Sequence, residues 1–110
     1  MNAQTKLAIG FLNAVYQEDL KSVMEYLEWG ASPSWVFNGF PILMHAINLG
    51  NEEIVECLLD AGASQQQEAF GFALERGIGE CIPSLYYRGI VPKHFEPRPG
   101  FGLFPQQYSY

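Results

Sequence analysis

The chain has 110 residues, the length of a single domain, and 48% of them are hydrophobic, so it can bury a core. Its formal net charge is −6, from 12 acidic and 6 basic side chains. That balance argues against direct nucleic-acid binding, which needs a basic face, and against an anionic membrane surface. The acids are concentrated in residues 1–75, and a field of that sign favours a basic protein partner.

Neither a membrane span nor an export signal is predicted. No run approaches the roughly 20 apolar residues that a transmembrane helix needs. The apolar stretch over residues 7–16 contains Asn13 and lacks a clean cleavage site. Cys57 and Cys81 fall at apolar positions of helical patterns, which favours free buried thiols over a disulfide. We therefore expect a cytoplasmic protein.

Two helices are predicted between the N-terminus and Gly30. The first has apolar residues at helical spacing, namely Leu7, Phe11, Leu12 and Val15. Asp19 is placed to cap the second, whose apolar positions are Leu20, Val23, Met24 and Leu27. Gly30 is placed to end this second helix, because glycine tolerates the left-handed conformation found there.

A short hairpin is predicted over residues 33–41, Pro-Ser-Trp-Val-Phe-Asn-Gly-Phe-Pro. Asn38 and Gly39 form a strong turn pair, because both tolerate positive φ. We expect Phe40 to be buried and Trp35 to be at least partly exposed. An exposed tryptophan on a hairpin is a plausible anchor for a partner. The alternative is that half of these aromatic side chains pack on the neighbouring helices.

The helix–loop–helix pattern returns after the hairpin, with a helix over 42–49, Asn51 as the next cap and Gly62 as the next stop. Residues 41–47 read Pro-Ile-Leu-Met-His-Ala-Ile, and residues 50–63 read Gly-Asn-Glu-Glu-Ile-Val-Glu-Cys-Leu-Leu-Asp-Ala-Gly-Ala. These strings resemble a repeat of the ankyrin family. The family pattern is Thr-Pro-Leu-His-x-Ala, then Gly-His/Asn-x-Glu-Ile-Val-x-x-Leu-Leu-x-x-Gly-Ala.

A third and degraded copy follows the second at a shorter offset. It has a helix over 69–76, a turn over 77–79 and a helix over 81–87, with Pro83 in the first turn of that helix and Gly89 behind it. Because the segment between Gly62 and Ala73 is shorter than its counterpart in the second copy, the hairpin of the third is expected to be absent.

The resemblance covers about residues 5–91. It implies an all-α fold, an ankyrin-repeat-like helical solenoid of about three helix-pair repeats over residues 1–91, with an extended C-terminal tail over 92–110. Pro41 lies one position farther from Ala46 than in the family. His45 is therefore not at the family's histidine position, and we interpret it as a packed, hydrogen-bonded residue.

In the ankyrin family the hairpins and the first helices form the concave binding face, so the resemblance implies a partner-binding site there. Its predicted members come from the hairpin and from the ends of the first helices: Trp35, Phe37, Asn38, Tyr16, Gln17, Asn48, Leu49, Glu75 and Arg76. The alternative for most of the helix-end residues is ordinary solvated or half-packed surface.

The tail from residue 90 onward carries four prolines and five aromatic residues. Proline at this frequency excludes a helix and predicts extended chain. We expect the tail to fold back as a cap on the last repeat, because a repeat stack needs its terminal apolar edge covered. The alternative is a segment that becomes ordered on a partner or in a homodimer.

No catalytic, metal or cofactor site is predicted. The two cysteines and two histidines lack the short paired spacing of a zinc site, and no Lys-Ser/Thr pair follows Gly77-Ile78-Gly79. We expect a protein-binding module, a small stand-alone inhibitor, immunity-type or adaptor protein that blocks a basic protein target. The alternative is a structural or assembly subunit that self-associates through its aromatic hairpin and tail.

Overall fold

The structure, a computed structural model, describes residues 2–96. This part of the chain is mostly helical, as the all-α prediction expects. Its helices are α1 (Ala3–Tyr16), α2 (Leu20–Glu28), α3 (Ile42–Leu49), α4 (Glu52–Asp60), α5 (Gln66–Arg76) and α6 (Ile82–Tyr87). Two short strands, β1 (Val36–Phe37) and β2 (Phe40–Pro41), pair antiparallel. None of the helices within residues 2–96 is both long and apolar enough to cross a bilayer.

The predicted caps of α2 and α4 are confirmed. Asp19 accepts a hydrogen bond from the backbone N–H of Ser22 at 3.2 Å, and Asn51 accepts one from that of Ile54 at 3.0 Å. Each side-chain oxygen therefore satisfies an amide that has no partner within its helix. The third pair differs slightly from expectation. α5 begins earlier than predicted, at Gln66, where the side-chain amide donates to the carbonyl of Ala63 at 2.9 Å.

The repeat seen in the sequence is present in the backbone hydrogen bonding. Behind α1, α3 and α5, three equivalent amides donate to three equivalent alanine carbonyls: Asp19 to Ala14, Asn51 to Ala46 and Ile78 to Ala73. Behind α2, α4 and α6 the same holds for another set: Ala31 to Tyr26, Ala63 to Leu58 and Ile90 to Leu85. Both sets follow the offsets of the sequence repeat, so the degraded third copy keeps the backbone geometry of the first two.

The six helices pack as three pairs of consecutive helices, α1 with α2, α3 with α4 and α5 with α6. The first helices of the pairs also contact one another, α3 lying between α1 and α5, and α2 contacts α4. The core runs through all three pairs, and its largest fully buried side chains include Phe11, Leu43, Met44, Leu58 and Leu85. Burying each such side chain contributes about 1.5–3 kcal/mol.

The expectations of an exposed Trp35 and of a buried Phe40 are both wrong. Trp35 is 4% exposed and Phe37 is completely buried, whereas Phe40 is only half-buried. The two strands are too short to carry side chains away from the helices. The Ile42 amide also donates to the Trp35 carbonyl at 2.8 Å, which holds the hairpin against α3. The Trp35 ring packs edge-on against the Phe11 ring of α1, with 6.2 Å between the two ring centres. The hairpin aromatics therefore pack on the neighbouring helices.

The first residues of the tail fold back onto α5. The Lys93 amide donates to the carbonyl of Gln67 at 2.9 Å, and the Phe95 ring lies 5.6 Å from that of Phe40 and 6.5 Å from that of Phe72. The predicted cap over residues 92–110 falls for the most part on residues 97–110, which lie outside the described part of the chain.

Candidate functional site

A cleft of about 210 Å³ opens where α1, α3 and α5 meet the turn between the two strands. We call it the three-helix cleft. Its polar lining comes from the three helices and from the turn: Tyr16, Asn38, His45, Asn48 and Arg76. Its apolar lining is Phe40, Met44 and Phe72. No single helix forms this surface, because each of the three helix pairs supplies at least one side chain.

The tight turn between the strands places Asn38 at the edge of the cleft. Asn38 and Gly39 have φ values of 56° and 85°, the pair of positive angles that a type I′ turn requires. The Asn38 side chain is exposed, while the flanking Phe37 is buried. The turn therefore presents an amide to the cleft and directs its aromatic neighbour into the core.

His45 connects its own helix, α3, with α1 and with β1. Its Nε2 lies 2.9 Å from the carbonyl oxygen of Phe37, which can only accept, so Nε2 carries the hydrogen and donates it. Its Nδ1 then accepts from the hydroxyl of Tyr16 at 2.5 Å. Burial lowers the pKa of His45, against the opposing effect of the backbone carbonyls of Phe37 and Phe40. The prediction of a packed, hydrogen-bonded histidine is confirmed, and the ring is neutral at pH 7.

Arg76 brings a positive charge to the cleft from the last turn of α5. Its guanidinium carbon lies 4.9 Å from the centre of the Phe72 ring, a cation–π arrangement that holds the group over the aromatic face. The C-terminal end of a helix also favours a cation. Within residues 2–96, the side-chain ion pairs involve Arg88 and His94 and do not include Arg76.

The structure brings together four of the residues predicted from the sequence, Tyr16, Asn38, Asn48 and Arg76. It does not place the other helix-end residues in the lining. Gln17 is the exposed C-cap of α1, Leu49 packs partly against the core, and Glu75 is hydrogen-bonded to His94. The hairpin aromatics Trp35 and Phe37 are core residues and do not line the cleft.

Sequence reasoning missed an aromatic cluster, two of whose rings, Phe40 and Phe72, line the cleft. Phe40 of the hairpin, Phe72 of α5 and Phe95 of the tail form a cluster with ring centres 5.6, 5.9 and 6.5 Å apart. They come from three distant segments of the chain, so no periodicity relates them. The one available signal was Gly71, a glycine inside a helical pattern, which indicates close approach by another part of the chain.

The two thiols lack the chemistry of nucleophiles. Burial, with added repulsion from the carboxylates of Glu52 and Glu80, raises the pKa of Cys81 to about 11. Burial and Asp60 raise the pKa of the half-buried Cys57 as well. Both are free thiols and stay protonated at neutral pH, whereas the thiolate is the reactive form. Within the described residues, no group of three or more His, Cys, Asp or Glu side chains is arranged to hold a metal ion.

A second concave surface lies between α2 and α4 and is acidic. This α2–α4 groove has Leu20, Met24 and Cys57 along it and carboxylates on its α4 side, from Glu53, Glu56 and Asp60. Arg88, the C-cap residue of α6, lies 2.8 Å from Asp60 and 3.6 Å from Glu56, which neutralises part of this charge. Part of the negative charge of residues 1–75 is therefore gathered on the α2 and α4 side of the molecule.

Comparison of the chain with models of protein families gave no match, and comparison with curated proteins gave no match either.

Proposed function

We propose that the protein is an ankyrin-repeat-like stack of about three helix pairs and that it binds another protein through the three-helix cleft and its surroundings. The observation that carries the proposal is the joint construction of the cleft by α1, α3, α5 and the Asn38-Gly39 turn. A surface built from consecutive units, with exposed polar groups over a partly aromatic floor, suits recognition of a protein surface.

The stacked fold itself is supported by the repeated backbone hydrogen bonds and by the contacts of α3 with both α1 and α5. One helix pair cannot bury its apolar face, whereas three pairs in contact share a core. Gly30, Gly62 and Gly89 have φ values of 106°, 90° and 77°, so each second helix is followed by the same left-handed residue. This regularity is typical of a repeat architecture.

The kind of partner follows from charge. The carboxylates beside the α2–α4 groove, within a net charge of −6, accelerate association with a basic protein and disfavour acidic ones. Occupying the functional face of such a target requires no chemistry from the binder. An inhibitor, an immunity-type protein or an adaptor in the cytoplasm is the form of activity that fits these properties.

The alternative, a subunit that self-associates, is favoured by a different surface. Tyr86 and Tyr87 of α6 are 64% and 84% exposed, and Val91 is 63% exposed. The hairpin no longer contributes to this alternative, because Trp35 and Phe37 are buried. Measuring the molar mass by light scattering at micromolar concentration separates the two functions. A dimer that Tyr87→Ser converts to a monomer supports the subunit.

The protein-binding proposal is tested by affinity capture from native lysate with three baits, followed by a binding measurement on the purified partner. The baits are the wild type, Asn48→Trp in the cleft and Asn13→Trp on the exposed surface of α1 outside it. The two variants carry the same change of size and leave the charge unaltered. We expect the bulky side chain of Asn48→Trp to block the cleft and weaken binding at least about tenfold, the equivalent of about 1.4 kcal/mol, and Asn13→Trp to bind like the wild type. Equal retention of the partner by all three baits would exclude the cleft as the binding surface.

A further inference from the structure

We propose that the three-helix cleft binds a carboxylate side chain, an aspartate or glutamate presented by the protein partner, with Arg76 as its ion-pairing group. This inference rests on the proposed function, because it assumes that the cleft is the protein-binding surface. It goes further by naming the chemical group of the partner that enters the cleft.

Arg76 is presented in a form suited to a carboxylate. The Phe72 ring supports the guanidinium, with 4.9 Å between the guanidinium carbon and the ring centre, which leaves N–H groups free to point outward. A planar fork of N–H donors matches the two oxygens of a carboxylate. The contact with the ring also restricts the side chain before binding, so less conformational entropy is lost when the ion pair forms.

The protein supplies no carboxylate to Arg76 from within residues 2–96. The neighbouring Glu75 is directed instead to His94, with 2.8 Å between its Oε2 and the histidine Nδ1. The other arginine in this range, Arg88, is paired with Glu56 and Asp60. Arg76 and Arg88 thus form a natural contrast, one arginine open to a partner's acid and the other occupied by the protein's own acids.

The remaining polar groups of the cleft add no negative charge that would oppose an anion. Tyr16 donates its hydroxyl hydrogen to His45, and His45 donates its ring hydrogen to the Phe37 carbonyl. Both side chains are neutral, so the pair adds no charge to the cleft. Asn38 and Asn48 add amide N–H donors beside Arg76. Among the described side chains of the lining, Arg76 is the one with a formal charge, and the charge is positive.

Size and overall charge limit what carries the carboxylate. A volume of about 210 Å³ lies below the roughly 300–1,000 Å³ of typical small-molecule sites, and it suits one side chain of a partner. The methylene groups of that side chain would pack on Phe40 and Phe72. The net charge of −6 disfavours a segment rich in acids. A partner that carries a single acid on an otherwise basic or neutral surface can place that acid in the cleft without being repelled by the carboxylates on the α2–α4 side.

The first test is an NMR titration of the ¹⁵N-labelled full chain with N-acetyl-glutamate methylamide and with its uncharged analogue N-acetyl-glutamine methylamide. We expect the glutamate probe to shift the Arg76 Nε–H and the Asn48 side-chain amide, and the glutamine probe to leave them in place. The glutamate-induced shifts at Asn48 should vanish in Arg76→Gln and persist in the matched variant Arg88→Gln. Equal shifts with both probes, or shifts that persist in Arg76→Gln, would overturn the proposal.

Inorganic phosphate is the third probe. If it produces the same shifts at lower concentration than the glutamate probe, the site selects phosphate and the proposal of a protein carboxylate fails. If phosphate is weaker than glutamate, carboxylate selectivity is supported. Circular dichroism and the thermal midpoint of each variant establish that its fold is retained.

The second test uses the captured partner and separates the two proposals. Loss of the partner with both Asn48→Trp and Arg76→Gln, the latter at least about tenfold, supports both proposals, because a hydrogen bond to a charged group is worth that factor or more. Loss with Arg76→Gln alone also supports the carboxylate at the cleft. Loss with Asn48→Trp alone keeps the protein-binding cleft and overturns the carboxylate. Retention by both variants overturns the cleft as the protein-binding surface, and the carboxylate proposal with it.

Discussion

The backbone carbonyl of Lys93 occupies the place where a side chain on Gly71 would begin. A Cβ built on Gly71 would overlap the Lys93 oxygen and lie 2.7 Å from its carbonyl carbon. Gly71 lies in the middle of α5, where glycine costs about 1 kcal/mol relative to alanine. The close approach of the tail explains why a helix would contain a residue that weakens it, and it makes Gly71 the docking point of residues 93–95.

Gly71→Ala is therefore expected to displace the tail while leaving α5 helical. The contacts of Phe95 with Phe40 and Phe72 should be lost, and the Lys93 amide should exchange with solvent faster. Hydrogen exchange followed by NMR measures this directly. Gly79→Ala is the matched control, since a Cβ there meets nothing within 4 Å and its backbone is not in the left-handed region. Unchanged protection of Lys93 in Gly71→Ala would contradict the docking.

The burial of Trp35 predicts an effect on stability. Trp35→Ala removes a ring packed on Phe11 and should lower the free energy of unfolding by about 3–5 kcal/mol. Trp29→Ala is the control, because Trp29 is 63% exposed and its loss should cost well under that amount. Urea denaturation of the two variants measures the difference. Equal destabilisation by both substitutions would mean that Trp35 is not a core residue.

The hydrogen bond from Tyr16 to His45 predicts a change in the titration of the histidine. The hydroxyl can donate to Nδ1 only while that nitrogen is unprotonated, so the bond favours the neutral ring. Tyr16→Phe should raise the pKa of His45 toward its ordinary value of 6.5 and cost about 1 kcal/mol of stability. An NMR pH titration of the His45 ring measures the first effect. Tyr87→Phe, at an exposed tyrosine, should change neither quantity.

The lowered pKa of His45 also sets a dependence of stability on pH. Because the unfolded chain binds a proton at this position more readily than the folded protein, the stabilising contribution is present above pH 6.5. It is lost as the pH falls from there through the pKa of the folded state. His45 should therefore contribute to acid destabilisation, and a folded-state pKa at or above 6.5 by NMR would rule this out.

His94 predicts the opposite pH dependence for the tail. Its two ring nitrogens face Glu75 and Glu96, and because carboxylates only accept, both nitrogens must carry hydrogen. Hydrogen bonds to Glu96 and then Glu75 raise the pKa of His94 above 6.5. The protonated ring therefore stabilises the docked tail fully below pH 6.5, and this contribution is lost as the pH rises through the raised pKa.

The measurement for His94 is the protection of the Lys93 amide as a function of pH, corrected for intrinsic exchange. We expect protection to decline as the pH rises through the raised pKa of His94 in the wild type. Glu75→Gln should lower the pKa of His94 and move the decline to lower pH. A pH-independent protection factor that Glu75→Gln leaves unaltered would show that the His94 contacts do not hold the tail.

The local features of this fold were determined by the sequence. The caps Asp19 and Asn51 bond to amides within the first turn of their helices, and the Asn38-Gly39 pair adopts the turn that its tolerance of positive φ predicts. The start of α5 was less predictable, because residues 64–68 have no apolar periodicity to mark it. Hydrogen bonds and backbone angles that involve residues within one helical turn can be predicted from the local sequence.

The tertiary structure decided which side of the hairpin faces the core, which predicted residues share a cleft and where the tail lies. Trp35 is buried because Phe11, on a separate helix, offers its ring an apolar surface. Tyr16 and Arg76 line the same cleft because α3 lies between α1 and α5. Such contacts depend on how the helices approach one another, and that approach is fixed by the packing of the whole core rather than by any single segment of sequence.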